Sequence, residues 1–274
     1  MRIAAISRGH RYSPNHIEND ALILKLTIEN LEKLGFTIDL YGEDEINLNL
    51  LKEYQVIFSM IRSKYALDIL KALEKKGITI INNTTGVSNC YRARTAEILP
   101  ANGIPFPKSI VVNCENDLPN IDLPSINGSF KVWIKRGDVH AIHREDVTLV
   151  YSQDELAGTV REYNRRGIKE AVIQEQIEGD VVKFYAVRNS GFFHWYYHPG
   201  SRKLPFEDKE LSNIAARCAE ILDVDVYGGD AVIDIHGNIW IIDLNDWPSF
   251  APIRDTASKH ISELIEKKIL SPVN

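Results

Sequence analysis

The sequence contains little cysteine, and none of it is placed for a structural role. Cys90, Cys114 and Cys218 are odd in number, widely spaced and outside any CxxC pattern, so we expect neither a disulfide framework nor a cysteine zinc site. Long hydrophobic runs are also missing. No segment approaches the roughly 20 apolar residues that cross a bilayer, and the polar start MRIAAISRGHRYSPN is not typical of a signal peptide. We therefore expect a globular, cytoplasmic protein without a membrane partner.

A surplus of basic residues is missing too. The 274 residues include 32 Lys and Arg against 38 Asp and Glu, a formal net charge of −6 at pH 7. Because nucleic-acid phosphates do not attract a net-negative chain, we expect no nucleic-acid partner, although a local basic patch stays open. The length suffices for two domains with an ordinary core. The sequence also leaves open whether the chain assembles into a homo-oligomer.

The first 85 residues alternate between strand and helix patterns. Apolar strands are predicted at 2–6, 37–41, 56–60 and 78–81, and helices at 17–34 and 66–76. Alternation of this kind predicts a Rossmann-like parallel α/β domain over residues 1–85. Ligands of such sheets gather at the carboxyl ends of the strands, so Arg8, Arg62 and Ser63 are candidate substrate contacts, with solvated loop residues as an equally good explanation.

A hairpin near the C-terminus carries carboxylates on apolar strands. Residues 226–235 and 239–244 are rich in β-branched side chains, and His236-Gly237-Asn238 supplies the turn. Asp230 interrupts the first strand, while Asp243 and Asn245 point to the same side of the second. Such oxygen ligands suit Mg²⁺ bound together with phosphates. A merely wet polar face is the alternative, but the apolar neighbours of Asp243 predict a buried carboxylate, which favours the metal.

These residues also carry a family resemblance. The segment IIDLNDWPSF after GGD, together with Leu99, Gly103, Ile104, Pro105 and Pro107 in the spacing L-x3-GIP-x-P, resembles the ATP-grasp superfamily. The resemblance implies an α/β (α+β) fold in which the Rossmann-like domain is followed by an ATP-grasp domain over residues 86–274. It implies that Asp230, Asp243 and Asn245 hold Mg²⁺ against the phosphates of ATP. The chain departs from the family where Trp247-Pro248-Ser249 replaces Ser-Pro-Gly.

The same resemblance implies a set of ATP contacts. Arg92, with Arg94 as a second possibility, takes the place of a phosphate-binding Lys, and Lys135 emerges from a buried strand toward the phosphates. The adenine hinge corresponds to Glu175, Gln176 and Ile177, the ribose contact to Glu178 or Asp180, and a further phosphate or substrate contact to Lys183, for which an outward position in water is the alternative. The glycine-rich flap of the family is replaced by residues 137–144, which include His140, His143 and Arg144.

The activity implied is that of a carboxylate–amine ligase. ATP would phosphorylate a small-molecule acid, and an amine would capture the acylphosphate, with Lys135 as a catalytic cation and Arg254, Arg8 or the flap as the group that holds the acid. A small-molecule kinase is the first alternative, because IDLNDWPSF and the pair Lys183 and Tyr185 also resemble inositol polyphosphate kinases. A non-catalytic ATP-binding module is the second alternative.

Overall fold

The computed structural model describes residues 1–12, 17–116, 130–139 and 142–270. Within these residues the strands form three four-stranded sheets, with helices packed between and around them. The chain is therefore a mixed α/β protein, as predicted. No helix in the described part combines the length and the apolar character that a membrane span requires.

The first sheet is parallel, with strand order β2-β1-β3-β4. Its strands are β1 (Arg2–Ser7), β2 (Thr37–Gly42), β3 (Val56–Ser59) and β4 (Thr79–Ile81). The helices in this part are α1 (Ile17–Lys33), α2 (Leu48–Leu51) and α3 (Lys64–Glu74). Ser63 caps α3 by accepting from the Ala66 N–H at 3.1 Å. The predicted boundary between residues 85 and 86 falls within α4 (Thr84–Asn89). That boundary and the Rossmann-like class remain predictions.

The second sheet is antiparallel, with strand order β5-β8-β6-β7. It contains β5 (Ser109–Asn113), β6 (Val132–Arg136), β7 (Val147–Val150) and β8 (Glu170–Glu175). Helix α6 (Gln153–Arg165) packs on it through Leu156, Val160 and Tyr163. Helix α5 (Arg92–Ala101) joins this sheet to the first part of the chain. A hydrogen bond of 3.0 Å from the Ala93 N–H to the Gly137 carbonyl ties the start of α5 to the end of β6.

The third sheet is also antiparallel, with strand order β10-β9-β11-β12. It contains β9 (Gly179–Val187), β10 (Phe192–Tyr197), β11 (Val226–Asp234) and β12 (Ile239–Asp246). The predicted hairpin is β11–β12, and its turn is held by Asp234, whose carboxylate accepts from the His236 and Asn238 N–H groups at 2.8 and 2.9 Å. Helix α7 (Asp208–Leu222) covers the face that carries Phe184 and Ala231. The opposite face is therefore left for the site.

A shared hydrophobic core joins the third sheet to the first one. Helix α8 (Arg254–Leu270) packs against α1, and Phe58 of β3 stacks on Trp247 at a ring-centroid distance of 5.9 Å. The buried side chain of Asn82 donates to the Val226 carbonyl and accepts from the Asp225 and Val226 N–H groups. These contacts fix the carboxyl ends of the first sheet beside the end of β12.

Candidate active site

Charged side chains line up across the strands of the third sheet, on the face away from α7. Lys183 of β9 pairs directly with Asp230 of β11, and Asp230 pairs directly with Asp243 of β12. The Lys183 Nζ lies 2.6 Å from Asp230 Oδ1. Tyr196 of β10 continues the same row beside Lys183. Strand alternation therefore brings residues that are far apart in sequence onto one face, and the water-exposed position considered for Lys183 does not apply.

Asn245 lies two residues further along β12, and it therefore shares a face of the sheet with Asp243. It pairs with Gly228, where a Cβ atom would meet Pro248 Cγ at 2.9 Å and the Phe184 carbonyl at 2.7 Å. Among the described residues, no group of three or more His, Cys, Asp or Glu side chains is arranged to hold a metal ion. The candidate set is instead two carboxylates and an amide oxygen, hard ligands that suit Mg²⁺ when phosphates supply further oxygens.

Arg92 reaches the row from the start of α5. Its Nη2 lies 2.9 Å from Asp243 Oδ2, and 9% of its side chain is exposed. Burial alone would lower the pKa of Arg92, but the adjacent Asp243 carboxylate outweighs burial and raises it. Within the described part of the chain, the buried Nε and Nη1 groups have no hydrogen-bond partner. Because buried donors are normally satisfied, these groups fit an anionic ligand. Arg94 instead pairs with Glu97 at the surface.

Lys135 approaches from the second sheet. Its Nζ donates to Gln174 Oε1 at 2.6 Å and to the Ile242 carbonyl at 2.9 Å. The pKa of Lys135 is lowered to about 8, chiefly by burial and also by the charge of Arg92, against the opposing effect of Asp243 and Asp230. The ammonium is therefore held next to β12 in a position where an anion would stabilise its charge.

A pocket of about 220 Å³ lies between the second and third sheets. Its lining combines apolar residues from both sheets with the segment that links β8 to β9: Trp133, Lys135, Val147, Gln174, Glu175, Gln176, Ile177, Gly179, Val181, Val232 and Ile242. Such a volume is below the roughly 300–1,000 Å³ of sites for drug-sized ligands, so it suits one heterocyclic base. The Gln176 amide donates to the Ile177 carbonyl at 2.7 Å and accepts from Trp133 Nε1, which orders the linking segment.

The two candidate ribose carboxylates have different surroundings. Glu178 is exposed, and it lies in the chain between Ile177 and Gly179, which line the pocket. Asp180 is buried, and its oxygens accept from the Arg202 and Leu204 N–H groups at 3.0 and 2.8 Å. Although burial acts to raise it, these backbone contacts lower the pKa of Asp180. Asp180 therefore secures the loop before α7.

The arginines considered for the acid differ in their contacts. Arg254 opens α8 and donates to Asn19 Oδ1, while its buried Nε has no partner among the described residues. Arg8 is fully engaged, since it pairs with Asp20 at 2.7 Å and donates to the Met60 and Trp247 carbonyls. It therefore joins α1 to the loop after β12. Arg62 is buried as well, and burial, followed by the charge of Arg8, lowers its pKa to about 10.

The flap region is anchored at its second half. Asp146 is fully buried and accepts from the Ile142 and His143 N–H groups at 2.8 and 3.0 Å, and from Arg166. Although burial acts to raise it, these contacts lower the pKa of Asp146. The side chains of His143 and Arg144 are exposed. His140, the other flap histidine considered, lies outside the described residues.

Solved structures share this arrangement over nearly the whole chain. A D-alanine–D-alanine ligase from Bacillus anthracis matches with a TM-score of 0.74 at 19% identity, over 98% of each chain. A RimK domain ATP-grasp protein from Sphaerobacter thermophilus matches with a TM-score of 0.69 at 17% identity, over 97% of this chain and 100% of the other. VanG D-Ala:D-Ser ligase from Enterococcus faecalis matches with a TM-score of 0.70 at 17% identity, over 98% of each chain.

The chain has an ATP-grasp fold. No protein-family model matches its sequence, and no curated protein matches it either. At these identities the structural likeness shows the fold and nothing finer, so the chemistry has to be argued from the residues of the site.

Sequence reasoning missed several polar residues in and around this site. Gln174 orients Lys135, and Trp133 contacts the linking segment through Gln176. Glu43 is buried and accepts from the Gly9, Arg62 and Ser63 N–H groups, which connects three loops of the first sheet. A Gln inside an apolar strand was a usable signal for Gln174, because buried amides need partners. Nothing local marked Glu43.

Proposed function

We propose that the protein is an ATP- and Mg²⁺-dependent ligase that joins a small-molecule carboxylate to an amine through an acylphosphate. The single observation that supports this most is the row of Lys183, Asp230, Asp243 and Arg92 beside the pocket between the two sheets. Cations for phosphate oxygens and carboxylates for a divalent metal meet there, next to a slot the size of a base. The structural neighbours named above as D-alanine–D-alanine and D-Ala:D-Ser ligases favour a ligase over a kinase.

The side chains and backbone groups of the site match the groups that bind ATP and Mg²⁺ in proteins. We assign the adenine to the pocket, with the backbone of Glu175, Gln176 and Ile177 along its edge, and Mg²⁺ to Asp230, Asp243 and Asn245. When bound, Mg²⁺ supplies charge neutralisation to the phosphate oxygens. For the ribose we favour Glu178, because it is exposed next to the pocket residues Ile177 and Gly179, whereas Asp180 already accepts from backbone N–H groups.

The residues of the chain have separate tasks in this proposal. Lys135, Arg92 and Lys183 stabilise the charge that spreads over the transferred phosphoryl group. An oxygen of the acid attacks the γ-phosphorus while the bond to the β-phosphate oxygen breaks and ADP leaves. The amine nitrogen then attacks the acyl carbon, the C–N bond forms, phosphate departs and the nitrogen loses a proton to solvent. Arg254, whose Nε has no partner among the described residues, is the group we assign to the acid.

ATP consumption against pooled acids tests the proposal. The protein is incubated with Mg²⁺, ATP and pools of carboxylic acids, with and without amines, and hydroxylamine is added to trap acylphosphates. We expect ADP release that depends on an acid, together with a hydroxamate. A parallel series with polyols covers the kinase alternative, for which a stable phosphoester without any amine is the diagnostic product.

A binding result without turnover would support the third alternative. If Mg²⁺·ATP binds but no acid or polyol pool releases ADP, the ligase proposal is wrong and a nucleotide-binding module is favoured. A mock purification from cells that do not express the protein serves as the background control in these assays, because any ADP that it releases comes from a contaminating enzyme.

A further inference from the structure

Arg62 is a buried arginine whose backbone is fixed on both sides. It lies just beyond the carboxyl end of β3, and 8% of the residue is exposed. Its N–H donates to Glu43 Oε1 at 2.9 Å, and its carbonyl oxygen lies 3.5 Å from the hydroxyl of Tyr91, the residue before α5. These contacts hold Arg62 at the junction between the first sheet and the start of α5.

The guanidinium of Arg62 lacks comparable support. Within the described part of the chain its buried Nε has no hydrogen-bond partner. Burial, followed by the charge of Arg8, lowers the pKa of Arg62 to about 10, against the opposing effect of Asp246 and Asp20. The group therefore stays charged at neutral pH in surroundings that disfavour its charge. An anion beside it would stabilise a buried cation of this kind.

Arg8 connects Arg62 to Arg254 through a chain of contacts. Arg8 donates at 3.1 Å to a backbone carbonyl two residues before Arg62, and it pairs with Asp20 at 2.7 Å. Asn19, the neighbour of Asp20, accepts from Arg254, whose Nε is also buried without a partner among the described residues. Since Nε, Nη1 and Nη2 of Arg8 all have partners, Arg62 and Arg254 are the members of this group that are suited to an anion.

Both arginines lie close to the carboxylate row of the third sheet. The charges of Arg254 and Asp230 act on Tyr185, which is two residues beyond Lys183 on β9 and therefore on the same face of the sheet. The charge of Arg92, which contacts the row, acts on Arg62. The two arginines are therefore placed where the acid of the proposed reaction has to bind.

We propose that the acid substrate carries two anionic groups, and that Arg254 binds the carboxylate that reacts while Arg62 binds a second carboxylate or a phosphate on the same molecule. This rests on the proposed function and adds the chemical class of the acid to it. A monocarboxylate would neutralise one of the two buried cations, whereas a dianionic acid would neutralise both. The planar guanidinium also matches the two oxygens of such a group.

The first test compares matched acids on the wild-type protein. Dicarboxylates from malonate to suberate are titrated by calorimetry in excess Mg²⁺ and ADP, against the monocarboxylates with the same number of carbon atoms. Comparing succinate with 3-phosphonopropionate, which has the same spacer, distinguishes a carboxylate from a phosphate as the second group. We expect a dianionic acid to bind about 10-fold or more tightly than its matched monocarboxylate. No preference for a dianionic acid at any length, or no binding of any acid, would overturn the proposal.

The second test removes the charge of Arg62. Arg62→Met keeps an aliphatic stem, so the affinity for the preferred dianionic acid should fall by about 10-fold or more, while the affinity for the matched monocarboxylate should change little. Arg62→Lys keeps the charge and should retain part of the preference. Arg165→Met, which removes a 75% exposed arginine paired with Glu162, controls for the change in net charge. An unchanged preference for the dianionic acid in Arg62→Met contradicts the proposal.

The acid class and the ligase activity can fail separately. Tighter binding of a dianionic acid without any trapped hydroxamate would keep the role of Arg62 and remove the ligase. Hydroxamate formed from monocarboxylates as readily as from dianionic acids would keep the ligase and remove the role of Arg62. If Arg62→Met does not fold, as judged by circular dichroism, the wild-type comparison of matched acids alone decides.

Discussion

Asn245 is the metal-ligand candidate that is best suited to substitution. It carries no charge, so its removal leaves no buried ion uncompensated, in contrast to Asp243 beside Arg92. We expect Asn245→Ala to remain folded and to lose Mg²⁺ affinity in the presence of ADP by about 10-fold or more, the loss typical even for second-shell changes. Isothermal titration calorimetry measures this Mg²⁺ affinity. Asn213→Ala, an exposed change on α7, is the control, and equal affinity in the two variants would remove Asn245 from the site.

Lys135 should make nucleotide binding depend on pH. Burial lowers its pKa to about 8 in the ligand-free protein, so the ammonium that attracts phosphate is present below pH 8 and is lost above it. ATP affinity should fall between pH 8 and 9, by at most about 10-fold per pH unit. The ATP affinity of the Lys135→Met variant should be lower than that of wild type and should not change with pH over this range. The same slope in that variant would assign the dependence to another group.

The folding stability of the protein without nucleotide should change with pH in the direction opposite to ATP affinity. The pKa of Lys135 is lower in the folded protein than its ordinary value of 10.5, so above pH 8 the unfolded chain binds more protons than the folded one. The contribution of Lys135 to stability therefore rises with pH from 8 toward 10.5. Urea denaturation of wild type and Lys135→Met over this range separates this contribution from those of other groups.

Individual residues of the site were predictable where a motif carried them. Strand alternation predicted that Asp243 and Asn245 point to the same side of one strand, and the register of β11 and β12 pairs Asp230 with Asp243. The partner of Lys135 was not predictable, because Gln174 is 39 positions away and their contact depends on the pairing of two strands. Glu43 is harder still, since its partners are backbone groups of loops whose approach only the folded chain determines.

At the scale of elements, the packing of α4 on the end of α7 should be sensitive to a single methyl group. A Cβ atom at Gly86 of α4 would lie 2.1 Å from the Asp223 carbonyl oxygen, whereas a Cβ at Gly158 of α6 would meet nothing within 4 Å. We expect Gly86→Ala to destabilise the protein by about 2 kcal/mol or more, because a backbone atom cannot move aside. Gly158→Ala should stabilise it by about 0.5–1 kcal/mol through helix propensity. Urea denaturation should show that the free energy of unfolding falls in Gly86→Ala and rises in Gly158→Ala. A change of the same sign in both variants would contradict this account.

The helices and strands predicted in the first 85 residues followed from periodicity, while their ends and the shortest helix did not. The predicted helix at residues 66–76 is α3, which begins earlier because Ser63 caps it. Helix α2 was missed, since four residues are too few to show a helical period. It exists because Asn47 accepts from the Leu50 N–H at 3.0 Å. Capping and tertiary packing, rather than propensity, determine such segments.

At the scale of the whole molecule, the site depends on how the sheets are placed against one another. Its cations come from α5, β6 and β9, and its carboxylates from β11 and β12. Apolar patterning predicts the sheets, but their mutual placement depends on buried polar contacts that no short motif encodes. That is consistent with the same fold occurring at 13–19% identity among the structural neighbours.

Asn82 is the contact that should matter most for this placement. Its side chain makes three buried hydrogen bonds of 2.7–3.0 Å to the start of β11. We expect Asn82→Ala to lose roughly 3 kcal/mol or more, since each buried group left unsatisfied costs about 1–3 kcal/mol. Calorimetry measures the loss, and nucleotide affinity should fall with it because β11 carries Asp230. Asn30→Ala removes one hydrogen bond of 3.1 Å between α1 and Ser258 of α8 and should cost about 1 kcal/mol. If the two variants are equally stable, Asn82 contributes no more than an ordinary contact, and the first sheet must be held to β11 by apolar packing alone.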